Sequence, residues 1–295
     1  MKKVIYSVTL LFTMIFSVGI LTGQNKIQGD SLIMIETSDG NIFVGKLISE
    51  DSLILIISTH ELAEVRILKT KIVRREMVPA SRVVGNEVWL ENPQAARYFY
   101  APNGYGLHKG EGYYQNTWVL FNQLSVGLTD NISIGVGLVP LFLFGEGGVT
   151  PFWITPKVSI PLVDEKVNLG MGVLAGTILG ESESGFGILY SVATFGSKDV
   201  NATLGLGYGY IGGELAETPT INFSAMVRGG RRFYFITENY YISEEVTLLS
   251  AGGRSLINRA AIDYGLVMPI TDGLIAVPWL GVTIPFYSKA RKSAS

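Results

Sequence analysis

From about residue 113 onward the chain alternates apolar with small polar positions at a period of two. The stretch 118–138 shows this most plainly. Ile132, Ile134, Val136 and Leu138 alternate with Ser133, Gly135 and Gly137. Before them, Trp118, Leu120, Leu124, Val126 and Leu128 share one parity, while Thr117, Gln123, Ser125, Gly127 and Thr129 dominate the other. Successive side chains of a strand point to opposite faces, so the pattern predicts strands with one apolar face. The other face is small, polar or glycine, and almost uncharged. A soluble sheet would show Lys, Glu and Arg there. Lipid on the apolar side and a narrow lumen on the other fit the pattern of a transmembrane barrel.

In order, the alternation predicts about ten strands: 113–129, 131–144, 150–162, 167–179, 185–196, 200–211, 219–228, 231–243, 257–270 and 274–286. Tight turns are expected at 129–131, 163–166, 197–199 and 271–273. Longer loops are expected at 145–149, 180–184, 212–218 and 244–256. Short turns at one rim and long loops at the other are usual in outer-membrane barrels. The expected fold class is all-β, an up-and-down antiparallel transmembrane barrel over 113–286, followed by a basic tail, 287–295. An even strand number places both barrel ends on one side of the membrane.

The chain before the barrel divides into three. Residues 1–23 carry Lys2 and Lys3 ahead of an apolar run and read as a signal peptide for export. Residues 24–78 are richer in charge, with short strands expected at 32–37, 41–49, 53–58, 63–68 and 72–76. Ser38-Asp39-Gly40 supplies a hairpin turn, and Gly45 a bend. The spacing of Asp39, Gly40, Gly45 and Leu47 resembles that of small SH3-like and Sm-like barrels, which implies a compact β-domain. An exported setting and the lack of an aromatic stacking platform argue against RNA. Docking to a periplasmic or envelope protein, or simple spacing, is expected instead. Residues 79–112 are a linker ending in a segment dense in tyrosine and glycine. Amphipathic rings favour membrane–water interfaces, so this segment reads either as the barrel mouth or as a piece folded into the lumen.

Composition narrows the class further. Charged residues make up 16% of the 295 positions, against about 25% in soluble domains. Glycine takes 35 positions, well above the average of about 7%. The mean hydropathy is +0.33, yet no internal run has the apolar length of a spanning helix. The net charge of −2 gives no reason to expect nucleic acid. The absence of cysteine excludes disulfides, thiolate metal sites and cysteine nucleophiles.

The segments RYFYAPNGYGLHKGEGYYQNTWVLFN, WITPKVSIPL, FITENYY and VPWLGVTIPF resemble those of an uncharacterised family of outer-membrane β-barrel proteins in Bacteroidota-type bacteria. The likeness covers about 97–286 and is most specific around Lys109-Gly110-Glu111-Gly112-Tyr113-Tyr114. It implies fold and location and brings no chemistry.

Strand parity places the charges. Lys157, Arg228, Arg259 and Asp263 face inward, with Glu238 beside them, because Arg or Lys facing lipid at mid-bilayer costs about 2–4 kcal/mol. These five are expected to form an interior cluster, either a salt-bridged plug or a ring that selects an anionic solute. Arg97, Tyr105, His108, Lys109, Glu111, Tyr113 and Tyr114 form the candidate mouth or partner-binding segment. Catalysis has little support: the histidines are His60 and His108. His108 with Glu111 and a barrel serine would be needed for an envelope-lipid hydrolase or acyltransferase. No metal site and no cofactor are expected. The function expected is therefore a narrow or plugged outer-membrane barrel, a passive solute pore or a structural envelope component in contact with outer-membrane lipid. A soluble all-β binding protein is the remaining alternative.

Overall fold

The computed structural model describes residues 31–84, 87–141, 150–163, 166–181, 185–243, 246–257, 260–270 and 275–287. The expected signal peptide, Arg259 and residues 288–295 of the basic tail lie outside them. The chain divides into two compact units, Met1–Trp89 and Leu90–Ser295.

The first unit is a five-stranded antiparallel sheet. Its strands are β1 (Ser31–Thr37), β2 (Ile42–Glu50), β3 (Ile54–Thr59), β4 (Val65–Leu68) and β5 (Ile72–Pro79), in the order β4-β3-β2-β1-β5. The alternation in β1 and β3 sends Ile33, Ile35, Leu55 and Ile57 inward, where they pack with Ile67. Val44, Val78 and Val88 make a second small core. Gly40 takes a φ of 82° at the first turn, a left-handed conformation that glycine adopts without steric cost. Lys69 first, then Arg75, holds the Glu50 carboxyl below its ordinary range. A two-stranded ribbon of β6 (Val83–Val84) and β7 (Glu87–Val88) completes the unit.

The second unit is the closed antiparallel barrel that the alternation predicts. Its strand segments begin with β8 (Glu111–Thr117), β9 (Phe121–Gly127), β10 (Ile132–Leu138), β11 (Thr150–Ile154), β12 (Lys157–Val163), β13 (Val167–Leu179) and β14 (Phe186–Gly196). They continue with β15 (Val200–Ile211), β16 (Glu214–Leu215), β17 (Thr220–Gly230), β18 (Phe233–Tyr241), β19 (Thr247–Ile257), β20 (Ala260–Ile270) and β21 (Val277–Tyr287). β16 is a two-residue flap on β15. β11 and β12 are two halves of one stave, both paired with β10 and β13. Fourteen segments thus make twelve staves. The pairing of β21 with β8 closes the wall, and Tyr287 lies opposite Glu111, so both ends of the barrel reach the same rim.

Twelve staves replace the ten expected, for two reasons. The span 113–129 is two strands, because the chain reverses at Trp118 and Val119, with φ of 52° and 65°. Neither is glycine, asparagine or aspartate, so nothing in their type announces a turn. Asn116 Nδ2 donates to the Val119 carbonyl and Asn122 Nδ2 to that of Leu120, which holds the reversal. The second addition is β19, placed where a loop was expected because Gly252-Gly253 interrupts the apolar alternation.

The outward face is apolar: Leu124, Val136, Met171, Leu189, Leu204, Leu206, Phe235 and Leu280 are all exposed. The inward face holds Gln115, Ser125, Ser133, Ser159, Asn168, Thr194, Thr203 and Ser224, all buried. Eight strands are just filled by their own side chains, so twelve leave space. Residues 90–110 take it up. Tyr98, Phe99 and Ala101 pack inside the barrel against Met226, Tyr234, Ile236, Leu256, Ala261 and Trp279, all inward-facing. The apolar character of this part of the inner wall is matched to the segment it receives.

Candidate functional site in the barrel lumen

The inserted segment 90–110 is fixed chiefly through its backbone, and the groups that fix it include most of the charges expected in the lumen. Glu238, buried on β18, accepts hydrogen bonds from the Tyr100 and Ala101 amides at 2.9 Å each, and from the Tyr240 hydroxyl. Lys157, buried on β12, donates to the carbonyls of Tyr105 at 2.5 Å and Ala96 at 3.4 Å. Arg228 on β17 donates to the Leu90 carbonyl at 2.7 Å and pairs with Asp199 at 3.0 Å. Tyr98 donates to Asn201 Oδ1 and shares a hydrogen bond with Thr203, while the Gly104 amide donates to Thr194.

The densest set surrounds Arg254 on β19, fully buried. Its Nε and Nη2 bind Asp263 in a bidentate pair at 2.6 and 3.0 Å. Nη2 also donates to the Tyr98 carbonyl at 2.7 Å. Nη1 donates to the Gln94 carbonyl at 2.9 Å and to Asn92 Oδ1 at 3.2 Å. The planar guanidinium offers five donors in a fixed fork, and here it ties one wall carboxylate to the stretch of inserted chain between Asn92 and Tyr98.

The expected cluster is therefore distributed. Lys157 and Glu238 each hold a different part of the segment, Asp263 pairs with Arg254, and Arg228 sits toward the tight-turn rim beside Asp199. Arg254 was missed with its strand. Its signal was faint: counting by twos from Ser250 passes Gly252 to Arg254 and Leu256, an inward parity masked by two glycines.

The candidate mouth segment also divides. Arg97, Tyr105 and Tyr113 are buried in the lumen. Tyr105 donates to the Gly196 carbonyl, and Tyr113 accepts from Arg97 Nε at 2.9 Å. His108, Lys109 and Glu111 lie at the tight-turn rim, where the Lys109 amide donates to Asp130 and the His108 amide to Glu111. Tyr114 faces outward and donates to Asn122. His108 is exposed and its Nδ1 lies 3.5 Å from Asp130. Glu111 receives the His108 amide, so the contact between them is a turn bond and not the orienting of an imidazole. Among the described residues, no group of three His, Asp or Glu is placed to hold a metal ion.

The glycines have a local role where chain meets wall. A Cβ on Gly170 would come within 3.0 Å of the Asn103 carbonyl and 2.9 Å of Val192. A Cβ on Gly104 would run into the Asn168 carbonyl. Segment and wall thus approach backbone to backbone. Among the described residues, two cavities stand out in the remaining space. One, of about 150 Å³, is lined by Arg97, Lys157, Tyr100, Tyr113, Tyr190 and Tyr240 among others. The second, of about 390 Å³, is walled mainly by Phe99, Trp118, Phe121, Tyr240 and Trp279, with Glu238 at its edge.

No family model matches the chain, and no curated protein does. The particular family noted in the sequence is therefore not shown, while the barrel fold that the resemblance implies is present. Among solved structures, the chain is similar to the KdgM porin in complex with disordered oligogalacturonate, at a TM-score of 0.43 and 7% identity over 60% of this chain and 97% of that one. It is also similar to the CymD monoaromatic hydrocarbon channel, at a TM-score of 0.33 and 10% identity over 88% of this chain and 87% of that one.

Proposed function

We propose that the protein is a non-enzymatic outer-membrane barrel that passes small solutes passively, with its lumen narrowed by its own segment 90–110. The observation that carries this is the closed twelve-stave wall, apolar outside and polar within, around an inserted segment held mostly by hydrogen bonds. A closed barrel pairs every backbone group between strands, which is the condition for crossing lipid with strands. On this reading the tight-turn rim, where both barrel ends emerge, faces the periplasm. The first unit then lies in the periplasm, exported by residues 1–23, and is a docking element for an envelope protein.

Single-channel recording on the detergent-refolded protein in a planar bilayer tests the reading. The intact protein should show a small, intermittent conductance. Glu238→Ala removes the acceptor for two amides of the inserted segment and should raise the conductance or the open fraction several-fold. Silence from both, with each shown to be folded, would leave the barrel a structural envelope component.

A further inference from the structure

The lumen cavity of about 150 Å³ is lined by two buried cations and, among the described residues, by no carboxylate. Arg97 is 5% exposed and Lys157 7%, and both line it. Arg97 spends Nε on the Tyr113 hydroxyl, and its guanidinium lies over the Tyr113 ring at 4.9 Å. Its Nη2 is buried without a hydrogen-bond partner. Lys157 donates to two backbone carbonyls, and no acidic side chain pairs with it among the described residues. A buried charge is ordinarily paired, since unpaired it loses its hydration with nothing to replace it. Here two like charges share a cavity whose other walls carry Tyr100, Tyr113 and Tyr190, rings that offer faces and edges to a flat molecule.

We infer that this cavity is a binding site for a small organic carboxylate with a flat ring. The carboxylate meets Arg97 Nη2 and the Lys157 ammonium, and the ring lies among the tyrosines. The inference rests on the reading of the lumen as a solute path and names the class of solute that would pause there. Arg97 comes from the inserted segment and Lys157 from the wall, so the site exists only while the segment is in place.

The test is calorimetric titration of the refolded full chain with benzoate and with two ring compounds of similar shape, benzyl alcohol and benzylammonium. Benzoate should bind at least about tenfold more tightly than benzyl alcohol, as charge-assisted hydrogen bonds require, and benzylammonium should not bind. Lys157→Met should abolish the preference. A second variant guards against loss of fold. Ser133 lies opposite Lys157 on the neighbouring strand and lines the same cavity, so Ser133→Asp supplies an internal carboxylate to the cations. Folding should survive, and benzoate binding should fall at least about tenfold. Equal binding of benzoate and benzyl alcohol, no binding of either, or benzoate binding indifferent to Ser133→Asp would each overturn the site. Conductance of the same preparation separates the two readings. A conducting barrel without benzoate preference sinks the site alone. A silent barrel that still prefers benzoate sinks the conduction reading and keeps the pocket.

Discussion

Arg254 shows how much one side chain can organise here. It is buried with Asp263 and bonded to four residues of the inserted chain, Asn92, Gln94, Arg97 and Tyr98. Breaking a buried pair by removing one partner commonly costs about 3–5 kcal/mol, because the other charge is left uncompensated. Arg254→Met should therefore lower stability by about that amount in urea unfolding followed by tryptophan fluorescence. The double variant with Asp263→Leu should lose clearly less than the sum of the two single losses. Strand parity made Asp263 legible as an inward residue, as it did Lys157, while Glu238 was legible only as a charge on the same wall. Their partners were not legible. A hydrogen bond to a backbone carbonyl depends on where a distant loop runs, and no side-chain pattern records that.

At the level of single elements, alternation was the dependable signal, and it failed where it continued through a reversal. β8 and β9 keep one parity of small polar residues on each side of Trp118-Val119-Leu120, so nothing in the spacing separates two strands from one. The turn is made by residues that tolerate it poorly. A β-branched side chain at positive φ is a true outlier, and such conformations cost on the order of 1–3 kcal/mol. Val119 is exposed and its side chain packs little, so Val119→Gly should stabilise the barrel by about 1 kcal/mol. A rightward shift of the urea midpoint with an unchanged slope would show this; a leftward shift would show that the turn is relaxed as it stands. β19 was lost for the opposite reason, since its paired glycines mimic a loop while serving as strand. The inner wall at Met226, Ile236 and Leu256 departs from the small polar pattern because Tyr98 and Phe99 cover it. Each buried ring withdraws about 150–250 Å² from water, and at about 25 cal/mol per Å² the segment's insertion is strongly favoured as well as bonded.

In the whole molecule, closure depends on the pairing of β21 with β8, the last strand with the first. Without it two unpaired edges would face lipid, where no water can satisfy them. The intact protein should run as a compact band in unheated detergent gels and shift on boiling. A chain ending before Val277 should show only the unfolded position, whereas a compact band from it would mean that the wall closes another way. The segment 90–110 adds a consequence of a mechanical kind. It begins at the residue after the first unit ends, so tension applied to that unit is delivered to the segment along the covalent chain. The restraints lie in sequence along it: Arg228 on Leu90, then Arg254 on Gln94 and Tyr98, then Glu238 on Tyr100 and Ala101. Force entering at Leu90 meets the Arg228 bond first and the Glu238 bonds last, so the order in which the restraints lie along the chain is also the order in which they stand between the first unit and the deepest part of the segment.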